Sequence, residues 1–193
     1  VPLRKESAMR KGTLYFFTGL AGAGKTTIGG LFYQRLKEKS PDAILMDGDR
    51  QRAAAGHSTP DGSVVFEDRY TTEARKAGAR GMFAHCRALT EQGYDVVCCS
   101  ISMYQEIRDW NRANIDNYKE IYIKVTRETL YRRDQKQLYS SGAKNVVGVD
   151  LPYDEPESPD VIVRNDGHET PESIVNRLAE IFGMASDARS EAS

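Results

Sequence analysis

Gly19-Leu-Ala-Gly-Ala-Gly-Lys-Thr26 fits the pattern G-x-x-x-x-G-K-[ST] without a mismatch, and its flanks decide the fold. Upstream, Thr13-Leu-Tyr-Phe-Phe-Thr18 is a short β-rich run that leads into the glycines. Downstream, the stretch from Lys25 to about Lys39 reads as a helix, ended by Ser40-Pro41. A strand, a glycine loop and a helix in that order let successive backbone N–H groups point inward around phosphate oxygens. The helix N-terminus adds positive potential at the same place. Gly19, Ala21, Gly22, Ala23, Gly24, Lys25, Thr26 and Thr27 are therefore the candidate cradle for a nucleoside triphosphate. ATP and Mg²⁺ are the expected cofactors: Lys25 should reach the β- and γ-phosphates and the Thr26 hydroxyl should bind the metal. The plain alternative is a glycine turn before a helix, and the correct context on both sides argues against it.

Outward from this loop, strands and helices alternate. Ala43-Ile-Leu-Met46 reads as a second buried strand, 95–101 as a third, 120–125 as a fourth and 160–164 as a fifth. Helical spacing of apolar residues runs from Phe66 to Gln92, with Gly93 as its stop, and 104–115 is a further helix. Thr126 can cap a short helix to Arg133, and Thr170-Pro171-Glu172 opens the last one with cap, first-turn proline and acidic residue in their preferred places. Such alternation predicts an α/β chain: a three-layer P-loop NTPase fold whose central five-stranded parallel sheet is covered on both faces. Ligands in such sheets bind at the carboxyl ends of the strands. The glycine loop, Asp47-Gly48-Asp49 and Ser100-Ile101-Ser102 all fall at those ends. One domain over 13–183 is expected, with a basic, polar arm or linker at 1–12 and a disordered tail at 184–193.

Bulk composition is ordinary for a soluble globular protein. Of 193 residues, 39% are hydrophobic and 28% charged, and the formal net charge is −1. That balance gives no global attraction for nucleic acid or an anionic membrane, although local Arg and Lys can hold a small polyanion. No apolar run approaches a membrane span. Cys86, Cys98 and Cys99 lack metal-ligand spacing, and Cys98-Cys99 sits inside an apolar strand as two small hydrophobes. Free thiols in an unstapled domain suggest a reducing compartment, hence the cytoplasm.

A phosphate loop alone does not separate kinase, GTPase and motor. The chain has no guanine-reading N-K-x-D, and 193 residues is short for a motor domain. Asp47 and Asp49 end the second strand beside the loop, where a carboxylate can take the proton of a substrate hydroxyl or hold the metal through water. Asp-Gly is also ordinary turn chemistry. Arg52 and Arg69 are planar bidentate donors of the kind an anionic acceptor needs, though singly each is more often a surface residue.

Taken together, these residues resemble the adenylylsulfate (APS) kinase family, which phosphorylates the 3′-hydroxyl of adenosine 5′-phosphosulfate in sulfate assimilation. Gly19 to Thr27 looks like that family's glycine loop, and Leu45-Met-Asp-Gly-Asp-Arg-Gln-Arg52 like its L-D-G-D-x-x-R. Glu67-Asp-Arg69 resembles E-D-R, and Ile101-Ser-Met-Tyr104 resembles I-S-P-Y. Arg133-Asp-Gln-Lys-Gln-Leu-Tyr139 is similar to R-D-P-K-G-L-Y, and Gly148-Val-Asp-Leu-Pro-Tyr-Asp154 to G-I-D-x-P-Y-E. Six motifs in order are far more specific than any one. The resemblance implies Asp47 near the acceptor hydroxyl or metal, with Arg52, Arg69 and Lys136 on a small-molecule nucleotide substrate. It also implies Ile101 at the phosphosulfate end, a mobile lid over about 134–154, and a homodimer as one form of assembly.

The pattern breaks at the substrate's base. Two family phenylalanines sandwich the adenine; here the lid position matches Val146, and the other matches Val64 if 64–69 is read without a gap, with Phe66 as the alternative because the loop between Arg52 and Arg69 is longer than usual. An asparagine after the E-D-R becomes Thr72, the proline after I-S becomes Met103, and a serine just before becomes Cys99. An aromatic platform under a base contributes roughly 1–3 kcal/mol. The first reading is therefore phosphorylation of APS to 3′-phospho-APS. The alternative is an APS-kinase-like enzyme with another nucleoside ester as acceptor, for example cytidine diphosphoramidate of capsule synthesis. A non-catalytic nucleotide-binding module is a third reading, which the intact Lys25, Thr26, Asp47 and Arg69 oppose.

Overall fold

A computed structural model of the chain describes residues 10–48, 71–133, 147–148 and 151–184. In order they form β1 (Leu14–Thr18), α1 (Lys25–Lys37), β2 (Ile44–Asp47), α2 (Thr72–Glu91) and β3 (Val96–Cys99). There follow α3 (Gln105–Asn114), β4 (Tyr118–Lys124), α4 (Arg127–Arg133), β5 (Val161–Arg164) and α5 (Pro171–Ile181). The five strands are all parallel, in the order β2-β3-β1-β4-β5. The chain thus lays β2 and β3 on one side of β1 and β4 and β5 on the other. That reversal opens a crevice at the carboxyl end of β1, where such sheets bind ligands.

β1 is buried at all five positions, as a central strand covered on both faces must be. Because successive side chains point to opposite faces, Tyr15 and Phe17 enter one core and Leu14 and Phe16 the other. On the first face α1 offers Ile28, Phe32 and Leu36, spaced four apart on one stripe, beside Ile174 and Leu178 of α5. On the second, Met82, Phe83 and Cys86 of α2 meet Ile107 of α3. Rings lock both layers: Tyr15 lies 5.0 Å from Phe32, and Phe16 lies 4.9 Å from Phe83, centre to centre.

Helix starts follow cap chemistry. Thr170 Oγ1 accepts from the Ser173 amide with Pro171 and Glu172 in the first turn, as expected from sequence, and Thr71 Oγ1 accepts from Ala74. Uniformly buried strands do not extend to the sheet edges, where Leu45 of β2 and Ile162 of β5 are exposed. β4 begins at Tyr118, two residues before the expected Glu120, because Glu120 is buried and paired rather than marking a solvated end. At the amino end, Arg10 to Gly12 lie against the body: Arg10 pairs with the buried Asp95 at 3.0 Å, and the Gly12 amide donates to the Thr90 carbonyl. The rest of the expected arm, most of the lid and nearly all of the tail lie outside the described residues.

Candidate active site

The glycine loop joins β1 to α1 as the sequence requires. Gly24 stands at the N-cap of α1 with φ 98°, a left-handed conformation that costs a side chain energy, and no side chain caps the helix. No acidic residue occupies the first turn either. The positive end of α1 thus has no compensating negative charge in its first turn and favours an anion. Lys25 is buried, and its Nζ donates to the Leu20 carbonyl at 2.8 Å, which keeps the ammonium against the loop.

At the end of β2, Asp47 Oδ2 accepts from the Thr26 hydroxyl at 3.2 Å. The sheet makes this meeting possible: Asp47 and Phe17 both stand level with Cys99, so the ends of β2, β3 and β1 form one row. Gly48 follows because space demands it; a Cβ there would sit 2.8 Å from Ser100 Oγ. A hydroxyl and a carboxylate are hard oxygen donors and suit Mg²⁺, which binds through one or two protein oxygens plus substrate phosphates and water. Among the described residues no group of three or more His, Cys, Asp or Glu converges, as a dedicated metal cage would require.

At the end of β3, the half-buried Ile101 is fixed through its carbonyl, which accepts from Thr18 Oγ1 at 2.7 Å. Cys99 lies beneath the loop, its thiol 3.5 Å from the Lys25 carbonyl. Burial, and then the Asp47 charge, push this thiol up to about 12, so it stays protonated and acts as packing. Thr72 stands at the first turn of α2. Asp49, Arg52, Arg69, Lys136 and Val146 lie outside the described residues.

Two residues beside the loop had no role assigned from sequence, although Arg133 opens one of the six motifs. Asn165, just after β5, donates from Nδ2 to the Ala23 carbonyl at 2.8 Å. Arg133, the last residue of α4, donates to the Asn165 carbonyl at 2.7 Å and to that of Gly22 at 3.5 Å. Together they bond two loop carbonyls and so fix the main chain of the loop. No local pattern announces Asn165, whose partner is 142 positions away.

A phosphate loop at the switch point of a parallel sheet, with a hydroxyl–carboxylate pair at the neighbouring strand end, defines a P-loop nucleotide-dependent kinase. The adenylylsulphate kinase family model matches residues 11–164, and the chain belongs to that family. It is 40% identical to the cytidine diphosphoramidate kinase of Campylobacter jejuni over 86% of this chain and 96% of that one. It is 36% identical to the adenylyl-sulfate kinase of Picosynechococcus sp. over 89% and 96% of the two chains. In three dimensions it is similar to the Mycobacterium tuberculosis APS kinase CysC solved with AMPPNP and APS, with a TM-score of 0.75 at 23% identity, over 90% and 98% of the chains. The enzyme is thus a phosphotransferase with an alcohol acceptor. No helix among the described residues is long and apolar enough to cross a membrane.

Proposed function

We propose that the chain moves the γ-phosphoryl group of ATP to a hydroxyl of a nucleoside 5′-diphosphate-like ester of the cytidine diphosphoramidate kind, in preference to APS. The reading is carried by a contrast. The donor side carries its parts, with Lys25 bonded to the loop and Thr26 to Asp47, whereas Val146 and, read without a gap, Val64 stand where the family resemblance would supply adenine platforms. A donor site that is intact beside an altered base grip suits a changed acceptor, and the 40% identity to a cytidine diphosphoramidate kinase supports the same direction.

In this reading the amides at the start of α1 grip the phosphates and Lys25 leaves the Leu20 carbonyl for the β- and γ-oxygens. The acceptor oxygen attacks the γ-phosphorus in line, the bond to the β–γ bridging oxygen breaks, and ADP departs. Asp47 takes the hydroxyl proton or holds the metal through water, and Thr26 and Asp47 would be its protein ligands. Mg²⁺, when bound, neutralises charge on the β- and γ-phosphate oxygens. Arg52, Arg69 and Lys136 hold the acceptor's anionic groups, with Ile101 and Thr72 lining its site and Asp49 beside Asp47.

APS remains the second reading, favoured by the 36% identity to an adenylyl-sulfate kinase. Coupled ADP release separates the two: kcat/KM should be at least about ten-fold higher with cytidine diphosphoramidate than with APS, the value of one stacking platform. A preference for APS overturns the proposal. In addition, Val146→Phe should tighten APS binding by about ten-fold; unchanged or weaker binding removes Val146 from the base site.

A further inference from the structure

Arg108 of α3 is only 1% exposed, the bulkiest of the fully buried side chains among the described residues. Its Nε lies 3.5 Å from Oε1 of the equally buried Glu120 of β4. Removing two charges from water is expensive, and an apolar pair would fill the space at less cost. What the guanidinium holds gives it a reason to be there. Its Nη2 donates to Gln105 Oε1 at 2.6 Å and to the carbonyls of Asp154 at 3.0 Å and Glu155 at 3.2 Å.

Asp154 is in turn bonded on both sides of Tyr104. Its amide donates to the Met103 carbonyl at 2.9 Å, and its carboxylate accepts the Gln105 amide at 2.9 Å. The second bond caps α3, whose own N-cap, Tyr104, provides no capping side chain. Residues 101–104 are neither helix nor strand. They are pinned at one end by Thr18 through the Ile101 carbonyl and at the other by Asp154. The stretch from 152 to 160 is equally irregular and depends on α3 and β4, with Arg112 Nη2 on the Ser158 carbonyl at 2.6 Å and Asp160 on the Glu120 amide at 2.9 Å. Force applied to Arg108 therefore passes through 154–155 to the Ile101 side of the site, and of the donor side these bonds reach only Thr18, the last residue of β1.

We infer that Arg108 and Asp154 are positioning residues for the acceptor, acting through residues 101–104. This rests on the proposal that Ile101 lines the acceptor site. Asp154 is exposed, so Asp154→Ala removes the cap without opening the core. Acceptor KM should rise about five- to ten-fold, the usual worth of one cap, while ATP KM stays within about two-fold. Asp154→Asn keeps an acceptor oxygen for the Gln105 amide and should restore the wild-type acceptor KM. Arg108→Met should reproduce the split if it folds; Asp154→Ala carries the test alone if it does not. Hydrogen exchange on the unliganded protein supplies a readout independent of the acceptor: amides of residues 102–105 should exchange faster in Asp154→Ala, and those of the phosphate loop should not. Equal rises in both KM values, or an unmoved acceptor KM despite faster exchange, overturn the positioning role. Unchanged exchange at 102–105 overturns the anchor itself. If wild-type enzyme turns over neither acceptor, the functional reading has failed, and the exchange result still decides the anchor.

Discussion

Gly24 and Asn165 provide a test in which the size of an interaction follows from geometry. An alanine at position 24 would keep φ near 98° and place its Cβ 2.6 Å from Asn165 Nδ2. The left-handed backbone costs an L-residue about 1–2 kcal/mol. The clash is with the tip of a side chain, so it is relieved by moving Asn165, at the expense of its bond to the Ala23 carbonyl, about 1 kcal/mol. Gly24→Ala should therefore lower stability by about 2–3 kcal/mol, and Asn165→Ala by about 1 kcal/mol. In the double variant the bond is already gone and nothing remains to clash, so only the backbone term is added. The double variant should then fall about 1 kcal/mol short of the sum of the singles, beyond the roughly 0.3–0.5 kcal/mol scatter of independent sites. Urea unfolding of the four proteins at one temperature, with binding of a fluorescent ATP analogue as a second readout, measures it. Simple additivity would refute the argument that Asn165 reaches the loop through this one bond.

Two further outcomes can be checked directly. Lys25→Ala should retain the wild-type melting temperature within a few degrees yet lose at least about two orders of magnitude in kcat, as expected for a cation facing the transferred group; unchanged turnover would mean that the phosphates bind elsewhere. Cys99 stays protonated in the folded chain to about pH 12, against an ordinary 9.0. Between those values the unfolded chain binds one proton fewer, so this group lowers stability by about 1.4 kcal/mol per pH unit as pH rises, and it contributes nothing below pH about 8. Cys99→Ser should flatten the stability decline between about pH 9 and 11 by that slope, and equal slopes would show that the thiol is not buried as described.

The order of elements and the phosphate loop were legible because their causes are local. Apolar runs, a proline after a cap, and glycines before a lysine each act within a few residues. Gly48 was readable only as turn chemistry; its actual cause is Ser100 Oγ, 2.8 Å from where a Cβ would be, just past the end of β3, which the sequence alone does not place next to it. Glu120 likewise read as a polar strand boundary, whereas Arg108 and Arg112 make it a buried partner. Asn165 and Arg133 were missed for the same reason. Their partners are carbonyls of the loop, and carbonyls carry no sequence signature.

Donor and acceptor functions are built on different materials in this chain, and that difference explains how one can change without the other. The loop proposed to cradle the triphosphate is main chain, held by Asn165, Arg133 and the packed end of β1. A substitution in any of these supports disturbs the shape of the whole loop. The acceptor residues implied by the family resemblance are mostly side chains from two stretches of the sequence, Arg52 and Arg69 between β2 and α2, and Lys136 and Val146 after α4. Replacing one such side chain alters a single contact, whereas moving the main chain of the loop alters the whole cradle. Ile101 is the exception, since it is bonded back to β1 through Thr18. Changes in acceptor choice should therefore concentrate in residues 49–70 and 134–150, leaving Thr18, Lys25, Asp47 and Asn165 untouched. A homologue with an altered strand end and residues 49–70 and 134–150 unaltered, yet a different acceptor, would contradict that division.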